Sequence, residues 1–320
     1  MPVRTLFALL LVVFTVANVT AQSFPSRPIR ILVPSVAGSS PDIRARQIGT
    51  KLSEAFGQPV IVDNRPGANG LIAAREAAKS PADGHTLFLA LINNAVADLL
   101  TTEACCRLNQ ELVPVSRFSM TPLLFMVNPA VPARTLPEFI EQAKAKPDGF
   151  SVASHGPGSI SQLVAAMLKL ERGVQLLDVP YKGVNSEISD LTGGQLNVAF
   201  PVPQVVLGAI RSGKLRVLAV MGSQRLDILP DVPTVAELGM PQLEAVAWNG
   251  VFVPAGTPQP VIQALHRELV RAYTAPEVTQ QLHGGGAYAA ADTPEEFAAF
   301  VRAEKEKWGR VIREAGIKAQ

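Results

Sequence analysis

Ile29-Arg-Ile-Leu-Val-Pro-Ser-Val-Ala-Gly-Ser-Ser-Pro-Asp42 runs from an apolar, β-branched strand through a loop of small residues into a proline-led helix start. Ser40 followed by Pro41 places a capping hydroxyl and a fixed φ at that start. The unit is strand, tight loop, helix, and it recurs along the chain. Further strands are expected at Val60–Asp63, Thr86–Leu91, Leu123–Val127, Phe150–Ala153, Gln175–Val179, Val198–Phe200, Val217–Val220 and Gly250–Val253. Helical patterns separate them, which predicts an α/β protein of parallel βαβ units. Two later stretches repeat the capping chemistry, Thr257-Pro258 and Thr293-Pro294, and Thr293 with Glu296 forms a capping box. Leu191–Val198 and Ile210–Val217 both read as helix end, glycine cap, strand. The last helix sets Phe297, Phe300, Val301, Trp308, Val311 and Ile312 on one stripe, and Gly316 ends it.

Ligands of open α/β sheets sit at the carboxyl ends of strands. In the first loop, Gly and Ser let a small ligand approach the backbone, Ser39 and Ser40 offer hydroxyls, and the helix presents free N–H groups. Asp42 either stabilises the helix start or touches the ligand. The segment Ala153–Gln162 repeats this physics: Gly156 and Gly158 free the backbone, and Ser159 and Ser161 cap a helix or bind an anion. On that reading Gly158→Val should abolish binding with little loss of stability. Asn93 and Asn94 add amides, Tyr181 can cover a ligand, and Lys182 can attract a carboxylate. Two such loops facing one small anion suggest a clamp that closes on its ligand.

Met1–Ala21 carries one cation, Arg4, an apolar run from about Leu6 to Val16, and small residues at Val19 and Ala21. That is the pattern of a cleavable signal peptide, and the run is short of the roughly 18 residues of a membrane span. The mature chain is expected to begin at Gln22 and to work outside the cytoplasm, without membrane insertion. Its formal charge is close to zero, which removes the basic surplus that nucleic acid calls for. Cys105 and Cys106 are adjacent, so they form either a vicinal ring or two thiols, and no disulfide framework. The four histidines are scattered and no metal-ligand spacing occurs, so neither metal nor cofactor is expected. The Gly156-x-Gly158 pair lacks the rest of a dinucleotide fingerprint, and Gly208–Leu215 lacks the Ser or Thr of a phosphate loop. No nucleophile elbow occurs, and no catalytic residue is assigned.

Six ordered motifs carry a resemblance over nearly the whole mature chain. They are Phe24-Pro-Ser-Arg-Pro-Ile-Arg-Ile-Leu-Val-Pro34, Gly57-Gln-Pro-Val-Ile-Val-Asp-Asn-Arg-Pro-Gly-Ala68, Pro81-Ala-Asp-Gly-His-Thr-Leu87, Val179-Pro-Tyr-Lys-Gly183, Leu229-Pro-Asp-Val-Pro-Thr-Val-Ala-Glu-Leu-Gly239 and Pro254-Ala-Gly-Thr-Pro258. The sequence closely resembles the substrate-binding receptors of tripartite tricarboxylate transporters, the Bug family of periplasmic solute-binding proteins. The resemblance implies a type II periplasmic-binding-protein fold, with two lobes around a cleft and two crossing strands. Lobe 1 is expected at 22–124 and 250–320, and lobe 2 at 125–249. It also implies capture of a small carboxylate, transient contact with transporter subunits, and no catalysis; a monomer is expected.

By resemblance, the ligand-binding residues are Ser35, Ala37, Gly38, Ser39, Ser40 and Asp42 in the first loop. In the second lobe they are Ser154, Gly156, Gly158, Ser159 and Ser161, with Tyr181 and Gly183 following. Four positions depart from the family pattern. Ser35 replaces an aromatic residue, Ser39 a glycine, Gln162 a histidine, and Pro201-Val202 an Asp-Asn pair. Losing the aromatic implies a roomier pocket and losing the Asp one less means of reading an amine or hydroxyl; Asn94 and Pro201 are also expected to bind the ligand. Aspartate and citrate are therefore not the expected cargo. A sensing receptor for a signalling partner and a secreted hydrolase are the alternative functions.

Overall fold

The computed structural model describes residues 24–100, 107–156, 158–181 and 183–318. The expected signal peptide, the Cys105–Cys106 pair and Lys182 lie outside the described residues. The opening stretch folds as read: β1 (Ile29–Val33), a loop, then α1 (Ser40–Phe56). β2 (Val60–Asn64), α2 (Leu71–Ala78), β3 (Thr86–Leu91) and α3 (Ile92–Leu100) follow. β1 pairs in parallel with β2 on one side and β3 on the other. Helix α1 buries Ala45, Ile48 and Leu52, spaced for one face.

The chain next forms β4 (Leu112–Pro122), β5 (Leu124–Val127), α4 (Leu136–Ala145), β6 (Ser151–Ser154), α5 (Ile160–Arg172), β7 (Leu177–Pro180) and α6 (Val184–Gly193). After β8 (Val198–Ala199), α7 (Leu207–Arg211) and β9 (Arg216–Val220) it returns through β10 (Val246–Pro254). It ends with α8 (Gln259–Tyr273), α9 (Pro276–Gly284), β11 (Tyr288–Ala289) and α10 (Pro294–Ala315). Two sheets result, ordered β11-β4-β10-β3-β1-β2 and β7-β6-β8-β5-β9.

Neither sheet is purely parallel, which corrects the expectation of βαβ units throughout. β10 runs antiparallel to β3 and β4, and β5 runs antiparallel to β8 and β9. The reason is topological. β4 carries the chain out of the first sheet and β10 brings it back, so the two must run in opposite senses. Between the sheets the backbone stays paired. Leu123 N–H donates to the Ala245 carbonyl (3.0 Å), and Met221 N–H donates to the Leu123 carbonyl (2.8 Å). Ala245 N–H donates in turn to the Met221 carbonyl (2.9 Å). The crossings are therefore two short, hydrogen-bonded segments side by side.

The cores follow this division and bridge it. One cluster packs α1 and α8 on the first sheet through Ile31, Ile48, Leu52, Leu265 and Leu269. Another lies inside the second, around Leu124, Met126, Leu191 and Val220. A third runs continuously from Phe88 and Phe252 of the first sheet to Phe125 and Phe139 beside the second. Helix α10 buries Phe297, Val301, Trp308, Val311 and Ile312 and half-buries Phe300, as its stripe predicts. It packs on β4, α3 and α5, and Arg310 on it pairs with Glu171 of α5. Thr293 and Glu296 complete the capping box, and Gly316 closes the helix at φ 66°.

Two expected caps differ. At α1 the N-cap position is Ser39, Ser40 is already helical, and neither hydroxyl caps the helix. The Asp42 carboxylate instead reaches back from the first turn and accepts Gly38 N–H at 2.8 Å, bracing the loop against the helix. At α8, Pro258 occupies the N-cap position, so the Thr257 hydroxyl turns back to the Pro254 carbonyl at 2.7 Å. Among the described residues no helix is long and apolar enough to cross a membrane.

Candidate ligand-binding cleft

A cavity of about 290 Å³ lies between the two sheets, close to the lower end of the usual range for small-molecule pockets. The first sheet's side supplies Ser40 and Pro41, Leu91 to Asn93, Thr121, and Ala247 to Asn249. The second sheet's side supplies His155, Ile160, Ser161, Val184, Glu187, Phe200 to Val202, Gln204 and Val205. These wall segments follow β1, β3, β6, β7 and β8, so the cavity sits where parallel strands end and helices begin. Most of the wall is apolar, with hydroxyls and amides set into it singly. Gln204 Nε2 donates to Ser40 Oγ at 2.9 Å, which links the two sides directly.

The first loop is held largely by its own bonds. Asp42 is buried and accepts from Gly38 N–H and from Arg46 Nε (3.1 Å). The Arg46 hydrogen bond holds its carboxyl below the usual carboxylate range, helped by Gly38 N–H and against the opposing effect of burial. Gly38 takes φ 77°, which a side chain would resist. The Ser39 hydroxyl donates to the Val36 carbonyl at 2.6 Å and lies 3.0 Å from Ser35 Oγ. The Ser35 carbonyl accepts from Asn64 Nδ2 at 3.0 Å. Of the predicted residues here, Ser40 lines the cavity, while Ser35, Ala37, Gly38, Ser39 and Asp42 do not. Asn94 is also turned inward, accepting from Leu91 N–H (2.8 Å), and its neighbour Asn93 reaches the wall.

The second loop shows the same economy. Ser159 Oγ accepts from His155 N–H (3.2 Å) and Gln162 N–H (3.4 Å), and Ser161 Oγ lies 3.3 Å away. Gln162 in turn accepts from Gly158 N–H at 2.9 Å. Ser161 lines the cavity; Ser154, Gly156, Gly158 and Ser159 do not. Gly158 faces α3 of the other side: a Cβ there would lie 2.3 Å from Leu100 Cδ1. Tyr181 donates to Asp190 Oδ2 at 2.8 Å, and burial, followed by that bond, pushes its hydroxyl up to about 12. Gly183 is the N-cap residue of α6. Neither Tyr181 nor Gly183 lines the cavity, whereas Pro201 does.

Several wall residues carried no sequence signal. Thr121, Trp248 and Asn249 come from the crossing strands, and Gln204 from the turn after β8. Trp248 is fully buried, packed edge-on against Phe297 and Phe300, and its indole N–H has no acceptor among the described residues. His155 Nε2 lies 3.1 Å from Glu187 Oε2, a pair brought together from two successive strand-to-helix loops. His155 and Glu187 are the only titratable side chains among the described residues of the wall.

Two α/β lobes, antiparallel crossing strands and a cleft between them define a two-lobed solute-binding protein. The pattern of the tripartite tricarboxylate transporter family receptors matches residues 44–317, and the chain belongs to that family. It is 36% identical to protein BugT of Bordetella pertussis over 304 residues, covering 94% of this chain and 93% of that one. Among solved structures it is similar to Rpa4515 of R. palustris with adipate, at 29% identity and a TM-score of 0.79, covering 92% of this chain and 99% of the other. It is similar also to MatC of Rhodopseudomonas palustris with bound malate, at 30% identity and a TM-score of 0.77, covering 90% and 100%.

Proposed function

We propose that the protein is exported by its Met1–Ala21 segment and captures a small organic acid in the periplasm. It then delivers that acid to the membrane subunits of a tripartite tricarboxylate-type transporter. The observation that carries this reading is the cavity between the sheets, already bridged by Gln204 and Ser40, in a member of a receptor family. Relatives bound to adipate and malate support a carboxylate as cargo. The apolar wall around Leu91, Ile92, Phe200 and Trp248 supports an acid with a substantial apolar body.

We assign Ser40, Ser161 and Pro201 to direct ligand contact. Ser35, Ala37, Gly38, Ser39, Asp42, Asn94, Ser154, Gly156, Gly158, Ser159, Tyr181 and Gly183 set loop shape or act through water. The mature chain acts as a monomer that binds without turnover. Residues 22–124 with 250–320 move against residues 125–249, with β4 and β10 as the crossings.

A thermal-shift screen of the mature protein against mono- and dicarboxylates, aromatic acids included, tests the reading. Selective binding to the native state at a hundredfold excess over Kd adds about 2.7 kcal/mol. A rise in melting temperature with one acid class is expected. A flat response across the whole panel would contradict acid capture.

A further inference from the structure

The cavity poses an electrostatic problem. An acid is its proposed cargo, yet Glu187 lies in its wall with a side chain only 3% exposed. None of the described wall residues is Lys or Arg. A buried carboxylate needs a compensating partner, and a second carboxylate nearby would raise the demand. Glu187 sits in the first turn of α6, where the helix N-terminus favours negative charge. Its one ion-pair partner among the described residues is His155, whose side chain is 31% exposed. The neighbouring Asp190 is committed to the Tyr181 hydroxyl. The His155 backbone is fixed by Ser159 Oγ, and its Nε2 is turned to Glu187. Nδ1 therefore remains without a partner among the described residues, on a residue that lines the cavity.

We propose that His155 and Glu187 form the charge-reading element of the second lobe, a role that rests on the acid-capture reading above. Glu187 accepts a hydrogen bond from Nε2–H and fixes the ring. In the loaded state the ring carries a proton on both nitrogens, and Nδ1–H donates to the carboxylate of the bound acid. The imidazolium then separates two carboxylates that would otherwise repel each other across a low-dielectric wall. The ligand class follows from this arrangement: an organic acid whose carboxylate meets His155 while its apolar body lies against Phe200, Ile160 and Trp248.

This arrangement makes an unusual prediction of sign. If Glu187 were only a negative charge in the pocket, removing it would tighten acid binding. If it holds the imidazolium, removing it weakens acid binding. The test is calorimetry of the wild type, Glu187→Gln and His155→Gln with phenylacetate, hexanoate, adipate and malate, each run beside its amide. The wild type is expected to prefer acid over amide by about tenfold, the scale of a hydrogen bond to a charged group. Both variants are expected to lose most of that preference, and Glu187→Gln to bind the acid more weakly than wild type. The acid-to-amide ratio within one variant is insensitive to a general loss of stability, which lowers both affinities together. Tighter acid binding by Glu187→Gln, or an unchanged ratio in His155→Gln, would overturn the dyad alone. Failure of all four acids to bind the wild type would overturn acid capture and the dyad with it.

Discussion

Gln204 and Ser40 meet across the cleft, with the Gln204 amide donating to the Ser40 hydroxyl at 2.9 Å. The two residues are separated by 164 positions in sequence; Ser40 opens α1 and is exposed, and Gln204 is half-buried in the turn after β8, both lining the cavity. The contact joins the two sides of the cavity. Gln204→Ala is expected to leave global stability within about 1 kcal/mol and to speed release of bound acid by about fivefold. Stopped-flow displacement reads the rate. An unchanged rate accompanied by a loss of stability would place the contact in the fold rather than in closure.

Asp42 organises the first loop without lining the cavity. Asp42→Ala removes the acceptor for Gly38 N–H and the partner of Arg46, and should cost about 1 kcal/mol, the scale of a lost helix cap. The folded carboxyl titrates below its ordinary value, so its contribution is present above the unfolded pKa of about 4 and disappears as pH falls through the folded value. Urea unfolding at pH 7 and at progressively acid pH should show the Asp42→Ala penalty shrinking below about pH 4. A penalty that persists unchanged into strong acid would rule out the charge as its source.

Gly158 gives a different outcome from the one its sequence suggests. Its φ is 74°, and a Cβ would press on Leu100 of α3. Gly158→Val should therefore destabilise the fold by at least about 1–2 kcal/mol, the cost of left-handed backbone for an L residue. Chemical denaturation measures it. A variant with wild-type stability and no acid binding would restore direct ligand approach at this glycine.

Tyr181 supplies an alkaline signature. Its hydroxyl is raised to about 12, above the roughly 10 of an unfolded chain. Stability from this group is complete below pH 10 and is lost as pH rises towards 12, because the unfolded state gives up its proton first. Tyr181→Phe should remove the phenolate absorbance that develops as pH approaches 12, ahead of Tyr273, whose complete burial pushes its hydroxyl up further. If the transition near pH 12 keeps its full amplitude in the variant, Tyr181 does not carry it.

The parts of the molecule readable from sequence are those decided locally. The run from Ile29 to Asp42 announces a strand, a loop and a helix within fourteen residues, and Thr293 with Glu296 announces a helix start. β4 announces nothing comparable. Its run Leu112–Pro122 contains Pro114, Ser116, Arg117, Ser119 and Thr121, and Ser116 and Ser119 are buried. It is a strand because β10 pairs with it from 130 positions away, as Asn249 Nδ2 to Ser119 Oγ at 3.0 Å illustrates. A chain crossing is legible near Ala245–Val253, where β10 runs, but nothing in that stretch marks Trp248 and Asn249 as cavity wall. His155 and Glu187 each look like ordinary loop or helix residues until two successive strand-to-helix loops bring them to 3.1 Å. The loops' small residues marked the place of the site, and long-range pairing chose its walls.

The cavity between the lobes is the proposed binding place of an organic acid. Ser40 is exposed at the mouth of that cavity, so Ser40→Trp fills it with little disturbance of the core. Calorimetry of phenylacetate, hexanoate, adipate and malate against wild type and this variant is the most direct measurement. Saturable binding of at least one acid to the wild type, abolished in Ser40→Trp while the melting temperature holds, is the predicted result. Equal affinity in both proteins would contradict it.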